Sequence, residues 1–178
     1  MDTPLTKIFR SRALKKYACG ISTGMIPLSS IHEVFILLDS RDENAGDCVS
    51  LVNEFFRSRG IRPDIFYIDT GGRRNKEKAM LTDPLYTFQK KDLNWYGRPR
   101  KKILRPFLEA RQDLYIDLTS RCDFTVRFLD TAVPARFKVG CSQQCKDIFD
   151  LTVTPQDSSA VSSPELFRGI SAMLLTVK

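Results

Sequence analysis

The chain has one histidine, His32, and one tryptophan, Trp95, in 178 residues. His32 stands at the start of a predicted strand, away from the end where a crevice would open, which speaks against Ser-His-Asp or Cys-His catalysis. Neither glycine-rich nucleotide motif is present: no Gly-x-Gly-x-x-Gly opens a helix, and no Gly-x-x-x-x-Gly-Lys-Ser/Thr occurs. Long apolar runs are missing too. The longest, Val34–Leu38, falls far short of the ~20 residues that span a bilayer, so no transmembrane segment is expected. Gly20, Ser22, Thr23, Gly24 and Pro27 break up the apolar stretch after the basic start, so no export signal is expected. There is no internal repeat and no low-complexity tract.

Cysteine is scarce and odd in number, at positions 19, 48, 122, 141 and 145. Cys48 and Cys122 fall in predicted helices, a pattern of reduced thiols in a cytoplasm and not of disulfides. Cys141 and Cys145 have no second pair, and His32 is in a strand, so a tetrahedral metal set is incomplete. Neither metal nor cofactor is expected. Cys122, at a helix start, is the one thiol in a reactive setting, with a buried structural thiol as the plainer reading.

What is present is a basic balance of 28 Lys and Arg against 21 Asp and Glu, net +7, with 42% apolar residues. A chain of this size buries roughly 70% of its unfolded surface and needs no staples, but it is too short for a two-domain enzyme of ordinary size. Thr3 to Ala18 carries Leu5, Ile8, Phe9, Leu14 and Tyr17 at near-helical spacing among basic residues, which predicts a basic amphipathic helix; with the Gly/Ser-rich linker it makes up residues 1–30.

Residues 31–178 alternate strand and helix. Strands are predicted at His32 to Asp39, Pro63 to Thr70, Asp113 to Thr119, Arg136 to Val139 and Ile148 to Thr154. Helices are predicted at Asp42 to Arg59, with Gly60 as its left-handed stop, at Arg121 to Ala132, and from Ser162 or Ser163 onward. Pro164 and Glu165 suit the first turn of that last helix, and Leu166, Phe167, Ile170, Met173, Leu174 and Val177 form its stripe. The alternation implies an α/β Rossmann-like, doubly wound, mainly parallel sheet of about five strands. A basic loop insertion interrupts it at about 71–106.

The charge is uneven. Residues 73–105 hold eleven cations against three carboxylates, and residues 1–20 hold five against one, so the other 125 residues are net acidic by five. Phe88, Trp95 and Tyr96 lie among the loop's cations, a composition in which rings stack bases while Lys and Arg neutralise phosphates. The candidate anion-binding residues are Lys7, Arg10, Lys15, Lys16, Arg73, Arg74, Trp95, Tyr96, Arg98, Arg100, Lys101 and Lys102. The plain alternative is a Trp95 that anchors the loop and charges that are merely solvated.

A doubly wound sheet binds ligands beyond the carboxyl ends of its strands. Here those ends gather Asp39, Asp69, Thr70, Asp117 and Ser120, which suit a sugar or a hydrated ion and are equally the preferred helix caps. Gly71 and Gly72, before Arg73 and Arg74, can cradle a phosphate or form a simple turn.

Asp113-Leu-Tyr-Ile-Asp-Leu118, the helix through Phe124 to Ala132, Ala135-Arg-Phe-Lys-Val-Gly140 and Asp147-Ile-Phe-Asp-Leu151, with the basic first helix and Asp92-Leu-Asn-Trp-Tyr-Gly97, resemble a small bacterial family of uncharacterised proteins, a domain of unknown function. That resemblance implies no activity. The stretch from Asp113 to Gly140 is similar, more distantly, to the N-terminal Rossmann half of heptosyltransferase-like glycosyltransferases. It implies the fold alone, because those enzymes bind the donor nucleotide mainly in a second domain.

The resulting expectation is a non-catalytic intracellular protein that binds RNA or a ribonucleoprotein through its basic segments. The alternatives are a nucleotide or sugar-phosphate enzyme using the strand-end crevice, and an anionic membrane surface engaged through residues 1–20.

Overall fold

The computed structural model describes residues 3–71, 80–141, 147–154 and 162–177. In chain order they form α1 (Pro4–Tyr17), β1 (Val34–Asp39), α2 (Ala45–Arg57), β2 (Asp64–Asp69), β3 (Thr87–Gln89), α3 (Lys101–Glu109), β4 (Gln112–Asp117), α4 (Phe124–Ala132), β5 (Ala135–Cys141), β6 (Leu151–Val153) and α5 (Ser163–Leu174). The strands form one all-parallel sheet in the order β3-β2-β1-β4-β5-β6, the doubly wound Rossmann order. The order reverses between β1 and β4, where Val34 pairs with Leu114 and Leu37 with Asp117. That junction is where such sheets open a crevice.

Strands buried on both faces read as near-continuous apolar runs, and β1 is Val-Phe-Ile-Leu-Leu-Asp with its first five residues buried. Val34, Ile36 and Leu38, with Leu114 and Ile116 of β4, meet Cys48, Val52 and Phe56 of α2 and Phe167, Ile170 and Leu174 of α5. Phe35 and Leu37, with Phe66, Phe88 and Tyr115, face Leu104 and Phe107 of α3 and Phe128 and Leu129 of α4. Gly60 takes the predicted left-handed turn at φ +75°. Ser162 and Glu165 make a reciprocal capping box at α5, while Met173 of the predicted stripe is exposed and Val177 lies past the helix end.

Four expectations change. The segment predicted to be a basic loop contains a strand and a helix, which raises the sheet to six strands. β3 escapes notice because it has three residues between Tyr86 and the Lys90-Lys91 pair. α3 does so because Pro106 sits inside it, yet it buries Leu104 and Phe107. Ile148 and Phe149 lie outside β6, and the Phe149 ring fills the space where a Cβ on Gly140 of β5 would stand. α4 starts at Phe124 with Asp123 as its cap, which leaves Cys122 outside the helix and exposed.

The fourth change concerns α1. It packs through Thr6 and Ala13, with Arg10, Leu14 and Tyr17 partly covered. Leu5, Ile8 and Phe9 of the predicted core stripe are exposed, at 62%, 48% and 41%.

Phe107 has no solvent exposure and lies within 6.3 Å, ring centre to ring centre, of Phe35, Phe66, Phe88 and Tyr115. Phe107→Ala is expected to cost about 3–5 kcal/mol. Urea denaturation checks this, and an unchanged midpoint would mean that residues 101–109 do not cover the sheet.

Candidate functional site

Of the predicted rim residues, Asp39, Asp69 and Thr70 are held beyond the strand ends by two arginines. Asp39 closes β1; its Oδ1 accepts the Arg41 backbone N–H at 2.9 Å and its Oδ2 accepts Arg121 Nη1 at 2.9 Å. Arg121 also donates to Thr70 Oγ1 at 2.7 Å and to Asp123 at 2.6 Å, tying together the ends of β1, β2 and β4. Arg41 donates to Asp69 Oδ1 at 2.6 Å, and its guanidinium lies where a Cβ on Gly71 would stand. A side chain at Gly71 would displace the Arg41 guanidinium from this position. Gly72 lies outside the described residues.

Asp117 is buried at the end of β4, its Oδ1 accepting the Thr119 N–H at 2.8 Å. Burial pushes its carboxyl up to about 6, against the pull of the Thr119 hydrogen bonds and the Arg121 charge. Asp130, beneath it on α4, accepts the Tyr115 hydroxyl at 2.7 Å, and burial together with the Asp117 charge holds it well above the usual carboxylate range. Ser120 adopts φ +50°, and its buried Oγ has no hydrogen-bond partner among the described residues. A non-glycine residue in that backbone region is a strained feature typical of functional turns.

The second cluster joins the two basic segments. Residues 93–99 fold into a tight turn: Leu93 bridges Pro99, the Asn94 side chain accepts the N–H groups of Tyr96 and Arg98, and Gly97 takes φ +95°. Three contacts pin this turn. Arg10 Nε of α1 donates to Tyr96 O at 2.9 Å, Thr125 Oγ1 of α4 donates to Gly97 O at 2.9 Å, and Arg98 Nη1 donates to the Tyr17 hydroxyl at 2.8 Å.

Tyr96 and Arg98 are accordingly half-buried supports, with the Arg98 guanidinium 5.2 Å from the Tyr17 ring centre. Trp95 is the tip. It is 66% exposed and stands 5.2 Å from Phe9, edge to face, while Phe9 stacks on Tyr96 at 5.9 Å. The result is an open aromatic platform flanked by cations.

Lys7, Lys15 and Lys16 are exposed on α1, and Arg100, Lys101 and Lys102 are exposed at the start of α3. The first turn of α3 holds no carboxylate, so cations sit at the positive end of a helix, which strengthens the local positive field. Tyr17 and Lys101 line one hollow, which brings the end of α1 beside the start of α3. Arg73 and Arg74 lie outside the described residues.

Sequence reasoning missed Phe9 as a surface residue, because the true packing face of α1 runs through small and polar side chains. It also missed Phe124 and Arg127, which face α1 from α4. No spacing signal marks either, since only the fold brings α4 beside α1.

Residues 6–168 match the model of a family of unknown function, DUF6913. No curated protein and no solved structure matches the chain.

Because folded Asp117 holds its proton more tightly than the unfolded chain does, its stabilising effect is full below the ordinary aspartate value and is lost as pH rises through about 6. Asp117→Asn keeps the acceptor for Thr119 and removes this titration. Relative to the parent, the variant is expected to gain stability as pH rises from about 4 to about 7. Urea melts at the two ends of that range test this, and a constant difference between variant and parent would refute it.

Proposed function

The chain belongs to that family of unknown function, which supplies no activity, and we propose from its surface that it is a non-catalytic intracellular protein binding RNA or a ribonucleoprotein. The observation that carries this reading is the platform of Trp95 and Phe9, exposed to solvent and placed where the two basic segments meet. An exposed ring offers a π-face to any unpaired base, and flanking Lys and Arg displace counterions from phosphates. At the strand-end rim, by contrast, Asp39 and Asp69 are already matched by Arg121 and Arg41.

In filter binding, single-stranded RNA is expected to be retained at low salt and to be lost steeply as salt rises. Trp95→Ala is expected to weaken retention by about 1–3 kcal/mol for each base that stacks on it. No retention at low salt, with sedimentation on anionic vesicles instead, would replace RNA by the membrane surface that exposed Leu5 and Ile8 would also suit.

A second reading has its own observation. The strained Ser120 turn, with its buried Oγ unpartnered among the described residues and Asp117 three positions before it, suits a crevice for a nucleotide or sugar phosphate. Under this reading one ligand of a nucleotide and sugar-phosphate panel, with or without magnesium, raises the melting temperature. A flat panel counts against it.

A further inference from the structure

Lys7, Arg10 and Lys15 of α1 face Cys122, just ahead of α4, and Phe124 and Arg127 of α4 across a groove of about 740 Å3. That volume lies within the roughly 300–1,000 Å3 of ordinary ligand clefts. The groove contains one carboxylate, Asp123, which is already committed: it accepts the Thr125 N–H at 2.9 Å as the α4 cap and pairs with Arg121 at 2.6 Å. Lys7, Lys15 and Arg127 are exposed and, among the described residues, pair with no carboxylate. The positive end of the α4 dipole adds to the same field. Cations held on both walls of a cleft repel one another, and an anion between them relieves that repulsion.

The groove is continuous with the platform. Arg10 lies 4.9 Å from the Phe124 ring centre on the groove side and donates to Tyr96 O on the other, and Tyr96 and Phe124 are 6.1 Å apart, ring to ring. From Lys7 to Lys15 the helix advances about 12 Å, farther than one phosphate group reaches. A base stacks on an exposed ring only when it is unpaired, so a strand that reaches the groove from the platform is single.

We propose that the α1–α4 groove carries the consecutive phosphates of single-stranded RNA whose bases stack on Trp95 and Phe9. This rests on the RNA-binding reading above and adds the path and strandedness of the ligand. Arg10 marks the point where the strand passes from platform to groove, and Arg127 contacts it from the far wall.

The thiol of Cys122 is exposed inside the groove and reports its occupancy. With the full chain at low salt, iodoacetamide alkylation of Cys122 is followed by peptide mass spectrometry, with oligouridylate or duplex RNA as probe. Oligouridylate is expected to slow alkylation severalfold and duplex RNA to leave it unchanged. Lys7→Ala with Arg127→Ala, at two exposed positions whose truncation does not lower the melting temperature, is expected to lower the salt slope of oligouridylate binding by about 0.7 for each contact removed. Oligouridylate retained on the filter with Cys122 unprotected, or with an unchanged slope in the variant, overturns the groove and leaves RNA binding standing. Equal protection by duplex RNA also overturns it. No retention of oligouridylate at all overturns the RNA-binding reading and the groove together.

Discussion

A parallel sheet must be covered on both faces, and over β1 and β2 that cover is supplied by Phe107. Its ring meets four aromatic rings from four strands, so α3 cannot drift from the sheet without opening a cavity under Phe35 and Phe66. This requirement turns a charged connecting segment into part of the layer. Once α3 is seated, Arg98 and the Trp95 turn just ahead of it fall against α1 and α4, where Arg10, Tyr17 and Thr125 hold them. The platform is thus positioned by core packing and not by loop chemistry.

The two ends of the molecule's charge are treated differently. At the switch between β1 and β4 each arginine is matched: Arg121 bridges Asp39, Asp123 and Thr70, and Arg41 meets Asp69. These contacts close the rim over strands that need caps in any case. On α1 and α4, Lys7 and Lys15 face Arg127 with Asp123 already occupied, so among the described residues these three cations have no carboxylate to meet. Such unbalanced charge is what an anionic partner would complete.

The core of the fold was legible because the chemistry is local. Val34–Leu38 announces a two-sided strand by its unbroken apolar run, and Gly60 and the Ser162–Glu165 box mark helix ends by their own side chains. The rim aspartates were also legible, since strand ends are set by the same pattern. Their partners were not: Arg121 reaches Asp39 across 82 positions, which no spacing rule encodes. β3 and α3 were hidden by flanking lysines and by Pro106, since neither alternates nor repeats over enough residues to outweigh its charge. α1 misled in the opposite direction. Its large apolar residues suggested a buried stripe, whereas Thr6 and Ala13 let it sit close to α4 and left Phe9 to build the platform.

That shallow seat has an energetic consequence for α1. With only Thr6 and Ala13 fully covered, the helix can lift away while the sheet stays intact, so its amides exchange through a local opening far cheaper than global unfolding. A ligand that grips α1 together with the Trp95 turn raises the cost of that opening by its own binding free energy. Recognition and the ordering of this one helix are therefore thermodynamically the same event, and tightening either tightens the other.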